Sequence, residues 1–183
     1  MRKLIFLTFI LAGLIFAEQM NFSEYLLVEI NKKAPDFSLY DAIKRKKHKI
    51  SDNKDKKIVL INFWATYCGP CKQEFPGFVK LYEKYKDRIE IVAISIEKDN
   101  KKISEFAKEY KLNFPVFMDY TKICINQYIR PGSTAALPTN ILVDKAGNIV
   151  EIANTLEEKK LEEWIIKYTG AETNPGSTKK NKE

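Results

Sequence analysis

The chain is poor in metal ligands. Among its 183 residues histidine occurs once, at His48, and cysteine three times, at Cys68, Cys71 and Cys124. A closed zinc site takes four ligands in recognisable spacing, so a metal centre is the weaker reading and none is expected. No internal repeat is visible. The apolar run near the N-terminus, LIFLTFILAGLIFA (Leu4 to Ala17), is shorter than the roughly 17 residues usual for a membrane span. No cysteine stands near its end, which argues against a lipid anchor.

What is there fits one domain with end segments. Hydrophobic residues make up 45% and aromatics 12%, enough for a sizeable core and against global disorder. Arg2 and Lys3, then the apolar run, then a small residue before a polar stretch, read as an export signal over residues 1–17. Cleavage after Ala17 is imperfect, because Ile15 would stand at −3. An uncleaved anchor that tethers the protein to the membrane is the alternative. Either reading places the remainder outside the cytoplasm, in the periplasm or at the extracytoplasmic face of the membrane, where disulfides persist. Residues 18–33 form an N-terminal segment, 34–170 the domain and 171–183 a disordered polar tail.

The net charge is +7. Much of the excess lies in KRKKHK (Lys44 to Lys49) and in the terminal KKNKE. These read as a solvated loop and tail. An anionic membrane or nucleic acid is the functional alternative, but an exported protein meets little nucleic acid, and no such partner is expected.

Strands and helices alternate along the chain. APDFSLYD (Ala34 to Asp41) reads as a short strand followed by the basic loop. IVLINFWA (Ile58 to Ala65) is apolar almost throughout, as a strand buried on both faces is, and IEIVAISI (Ile89 to Ile96) reads as a second buried strand. From Cys68 or Gly69 to about Lys86, Phe75, Phe78, Val79, Tyr82 and Tyr85 recur at helical spacing. A second helix is expected over Ile103–Leu112, a short strand over Phe114–Met118 and a short helix over Ile123–Tyr128. TNILVD, KAGN and IVEIA read as a hairpin, and Leu156–Tyr168 as a final amphipathic helix. The order argues for an α/β sandwich with a mixed sheet.

Cys68 and Cys71 fall where a buried strand gives way to a helix, in WATYCGPCKQEFP. A C-x-x-C at such a junction reads as a redox motif. Residues three apart on a helix have Cβ atoms about 5–6 Å apart, and a disulfide needs about 3.5–4.5 Å. Cys68, at the very start, is free of helical dihedrals and can close that gap. Pro70 falls in the first turn, where its missing N–H is harmless. The unpaired N–H groups there lower the pKa of Cys68 and mark it as the nucleophile. Cys71, deeper in the helix, is the resolving thiol. A structural disulfide stays open as an alternative, though so short a loop yields little unfolded-state entropy.

With these residues in hand, the chain resembles the thioredoxin superfamily. More narrowly, it is similar to the exported TlpA/ResA/DsbE-like thiol–disulfide oxidoreductases, which are related to AhpC/TSA proteins. APDFSLYD, NFWATYCGPCKQEFP and LPTNILVDKAGNIVEI carry the resemblance, which runs from about Ala34 to Thr169. It implies a three-layer thioredoxin-like sandwich in which helices flank a mixed central sheet. It implies Pro138 as a cis-proline beside the disulfide and Leu137 as lining of a partner groove. Gly69 and Pro70 would border that groove. Trp64 would cover the site, although a core aromatic is a fair alternative. It also implies Glu74 as a proton relay, since Asn62 stands where thioredoxin has a buried aspartate and cannot titrate. A solvated helix glutamate is the plainer reading. Pro76 matches a kink that the family places in this helix.

Two features depart from the pattern. IRPGSTAALPT is longer than usual before Pro138, and Cys124 lies outside the motif, as a buried core thiol or a regulatory partner. The resulting reading is an exported protein-disulfide reductase without a cofactor. Its substrates would be protein disulfides, by resemblance those of apocytochrome c before haem attachment, with electrons from a membrane donor. A peroxidase of the peroxiredoxin kind and a copper-binding chaperone are the rivals. The first lacks its proline upstream of Thr66-Tyr67-Cys68; the second would need C-x-x-x-C.

Overall fold

Ile58–Trp64, here β3, is buried at every position, and the two faces of the strand feed two different cores. Ile58, Leu60 and Trp64 point into one apolar cluster and Val59, Ile61 and Phe63 into the other. That alternation follows from the two-residue repeat of a strand. The computed structural model describes residues 22–40, 47–133 and 137–172. The expected export signal, Lys44–Lys46 of the basic run, part of the long segment before Pro138 and nearly all of the polar tail lie outside the described residues. Among the described residues, no helix is long and apolar enough to cross a membrane.

A two-stranded antiparallel ladder joins β1 (Ser38–Tyr40) to β2 (Lys47–Lys49). The end of the basic run is therefore a strand rather than a loop. Its pairing with β1 supplies the backbone hydrogen bonds that its composition does not advertise. The main sheet has five strands in the order β5-β4-β3-β6-β7. These are β4 (Ile89–Ser95), β5 (Val116–Met118), β6 (Thr139–Val143) and β7 (Ile149–Ala153). β3, β4 and β5 run parallel, while β6 and β7 are antiparallel to their neighbours. The sheet is thus mixed, as the alternating elements and the closing hairpin predict.

Helices α1 (Gly69–Tyr85), α2 (Asn100–Glu109) and α3 (Glu158–Thr169) cover one face. Phe75, Phe78, Leu81, Phe106, Leu161 and Trp164 form the greater part of that core. α2 starts and stops about three residues before the expected bounds. Asp99 caps it by accepting the Lys102 N–H, and Lys111 ends it at φ 52°. Apolar spacing marks the buried face of a helix, not its ends. Short 3-10 turns (Ile50–Asn53 and Ile125–Gln127), the β1–β2 ladder and residues 22–34 cover the other face.

Residues 22–34 are stitched to the domain by backbone hydrogen bonds. Leu26 bridges Ile129 and Lys33 bridges Asn148. Arg130 N donates to the Tyr25 carbonyl, Asn31 N to the Ile149 carbonyl and Ile149 N to the Lys32 carbonyl.

Candidate active site

The site is built where β3 ends. Antiparallel pairing of Phe63 with Thr139 brings the start of β6, and Pro138 just before it, to the same end of the sheet as the cysteine loop. The Leu137–Pro138 peptide is cis. Leu137 is half-buried against both cores, and Pro138 is buried.

Cys68 and Cys71 are joined in a disulfide. Cys68 is the N-cap of α1, with extended dihedrals (φ −80°, ψ 108°), and its Sγ accepts the Cys71 N–H at 3.2 Å. Freed from helical geometry, the first cysteine reaches back to the second while satisfying one of the orphan donors of the helix. Pro70 occupies the first turn, and Gly69 and Pro70 are exposed. Cys68 keeps 8% of its surface in contact with solvent and Cys71 none.

The loop before Cys68 is held by a residue that the motif does not contain. Glu97 accepts hydrogen bonds from both the backbone N–H and the hydroxyl of Thr66, and Lys102 lies 3.6 Å from the same carboxylate. Tyr67, between the clamp and the thiol, is 65% exposed. Trp64 is fully buried, with its ring against Phe75 and Phe106 at centroid distances of 5.1 and 4.8 Å. It lies in the core beneath the site.

Glu74 is buried with 4% exposure. Its Oε1 accepts the Leu156 N–H at 2.6 Å and Asn140 Nδ2 at 2.9 Å, and its Oε2 accepts Asn62 Nδ2 at 3.3 Å. Removal from water pushes the carboxyl up to about 7, against the three hydrogen bonds that pull it down. Glu74 is therefore no solvated helix residue. It follows Cys71 by one helical turn, and the helix continues through Pro76.

Sequence reasoning misses Asn140, Asn154 and Glu97. A signal existed for Asn140. Asparagine is depleted in strands, yet Asn62 and Asn140 interrupt two apolar strands and stand opposite each other in the ladder. Glu97 and Asn154 lie in loops and carry no such mark. Cys124 is buried away from the pair, and burial pushes its thiol pKa far up. His48 sits on β2, its ring 5.4 Å from Phe117 and its Nε2 against Asn53. Among the described residues no group of three or more histidine, cysteine, aspartate or glutamate side chains is placed to hold a metal ion.

Comparison with known proteins agrees with this geometry. The AhpC/TSA family pattern matches residues 30–152. The thiol–disulfide oxidoreductase ResA of Bacillus cereus is 37% identical over 153 residues, covering 82% of this chain and 85% of that protein. A putative protein disulfide isomerase from Bacteroides thetaiotaomicron superimposes with a TM-score of 0.72 at 26% identity, over 80% of this chain and 94% of the other. A putative thiol:disulfide interchange protein DsbE from Chlorobium tepidum gives 0.69 at 26% identity, over 78% and 99%.

Proposed function

The chain belongs to the AhpC/TSA family and is a thiol–disulfide oxidoreductase, and on that footing we propose that it works outside the cytoplasm as a protein-disulfide reductase. The observation that carries this reading is a disulfide between the cap of a helix and the third residue of that helix. It lies at the sheet end that bears a cis-proline.

In the reduced protein, the Cys68 thiolate attacks one sulfur of a partner disulfide. A bond forms to Cys68, the partner's S–S bond breaks, and the departing sulfur takes a proton. Cys71 then gives up its proton and attacks Cys68 Sγ, which closes the intramolecular disulfide and releases the second partner thiol. The partner gains two electrons and two protons, and the Cys68–Cys71 pair loses them. Glu74, one turn from Cys71 and poised near neutral pH, is the relay that accepts the Cys71 proton. Leu137, Pro138, Gly69 and Pro70 border the groove that receives the partner, over the buried ring of Trp64. A membrane electron donor restores the dithiol. The resemblance to ResA-like proteins points to apocytochrome c as the partner and to the N-terminal leader as the means of export or tethering.

The test is trapping. Cys71→Ser should hold partners on Cys68 as mixed disulfides, and those partners should carry C-x-x-C-H haem-attachment motifs. The wild type should reduce insulin disulfides with a dithiol donor. Consumption of peroxide with no reduction of protein disulfides would favour the peroxidase and overturn the proposal.

A further inference from the structure

The two oxygens of Glu74 are held unequally. The two shorter bonds, from Leu156 and Asn140, both fall on Oε1, while Oε2 has only the 3.3 Å contact with Asn62. A proton taken up by Glu74 therefore belongs on Oε2, facing Asn62. There it meets a donor, because Asn62 presents its Nδ2.

That orientation of Asn62 is imposed from outside. Asn140 Nδ2 has both hydrogens committed, one to Glu74 Oε1 and one to the Asn154 carbonyl at 2.9 Å. Reversing the Asn140 amide would set its oxygen against two acceptors. Its Oδ1 must then face Asn62 and accept from Asn62 Nδ2 at 2.9 Å. The result leaves Asn62 Oδ1 buried with no hydrogen-bond partner. An unpaired buried amide oxygen is destabilising, so Asn62 alone would not choose this pose.

We propose that Asn140 is the positioning residue of the proton-transfer step, aiming the hydrogens of two amides at Glu74 so that the carboxyl can ionise while buried. It donates one hydrogen itself and locks Asn62 into donating the other. Without Asn140, Asn62 is free to turn, and its unpartnered oxygen becomes the natural acceptor for a proton on Oε2. The neutral form of Glu74 then gains and the ionised form loses.

The same amide also reaches the groove. Asn154, whose carbonyl it holds, donates from Nδ2 to the Pro138 carbonyl at 2.6 Å. Relay and cis-proline are thus joined through two asparagines. Other titratable groups around Glu74 are few. β3 and β6 contribute none. α3 presents Glu158, which pairs with Lys80 near the surface, and α1, capped by Cys68, carries Cys71 one turn before Glu74.

The inference rests on Glu74 acting as the relay proposed above, and the test separates the two. The rate at which Cys71 resolves a mixed disulfide on Cys68 is followed by stopped flow across pH. This is done for wild type, Glu74→Gln, Asn140→Leu and Asn154→Ala, each checked for folding by circular dichroism. Asn140→Leu keeps the volume and removes the amide. It should move the Glu74-dependent midpoint to higher pH by about one unit or more, as expected for loss of a hydrogen bond to a charged group. Asn154→Ala keeps the carbonyl that Asn140 needs and should leave the midpoint in place. If the leucine variant does not fold, Asn140→Ser, smaller and with a hydroxyl, should show a lesser shift of the same sign. A midpoint unmoved in a folded Asn140 variant, with the pH limb abolished in Glu74→Gln, overturns the role of Asn140 alone. A limb that persists in Glu74→Gln overturns the relay and this inference with it.

Discussion

Cys68 Sγ accepts the backbone N–H of Cys71 at 3.2 Å, so the first thiol caps the helix that carries the second. In the reduced protein that N–H, with the helix dipole behind it, favours negative charge on Cys68 and does nothing for Cys71. Brief alkylation at neutral pH followed by peptide mapping should label Cys68 first. Labelling of Cys71 ahead of Cys68 would reverse the two roles.

Glu74 should make the protein less stable as pH rises. Its folded-state pKa of about 7 lies above the ordinary 4.5. The folded protein therefore binds this proton more tightly than the unfolded chain, and stability falls as pH rises through that window. The contribution lost is on the order of 3 kcal/mol between the two limits. Glu74→Gln cannot ionise and should flatten this slope. Urea unfolding of both proteins at pH 5 and pH 8 gives the comparison, and equal slopes would mean that Glu74 is not held neutral by burial.

Cys124 should be silent in the native state. It is 1% exposed, and burial and the nearby Asp119 carboxylate both oppose its thiolate. Cys124→Ala should keep full insulin reductase activity and lose about 1–2 kcal/mol of stability through the small cavity. In the wild type, with the active-site pair oxidised, a thiol reagent should react only on addition of denaturant. Rapid labelling without denaturant would contradict the buried-thiol assignment.

Gly77 should resist substitution. A Cβ there would stand 2.8 Å from the Cβ and 3.3 Å from the Cα of Glu158, the first residue of α3. The backbone contact leaves no flexible end to swing aside, so α1 and α3 must separate. Gly77→Ala should cost about 1–3 kcal/mol, seen as a lower thermal midpoint. An unchanged midpoint would show that the helices part freely.

The sequence discloses those parts of the fold whose signal is local. β3 and β4 are mostly apolar runs, and α1 shows its buried face at helical spacing. The cysteine pair and Pro138 stand in a motif long enough to be distinctive. What escapes is set by partners distant in sequence. The lysine-rich β2 becomes a strand only because β1 lies beside it. Residues 22–34 attach through isolated bridges that have no period to detect. Glu97 reaches Thr66 across 31 residues, and Asn140 reaches Glu74 across 66. The raised pKa of Glu74 follows from burial of a helix face rich in aromatics, but its three donors come from β3, β6 and the loop before α3 and could not be read from α1.

The attachment of residues 31–34 matters for the edge of the sheet. β7 is the last strand on its side, and an unpaired edge offers its backbone to the edge of any other molecule. Here Ile149, the first residue of β7, already has both its N–H and its carbonyl engaged by Lys32 and Asn31, and the Gly147 carbonyl just before it accepts from Ala34. The segment ahead of the domain thus works as a selvedge. It finishes one end of the open side of the sheet, so that a second chain finds no free backbone there on which to begin a sixth strand.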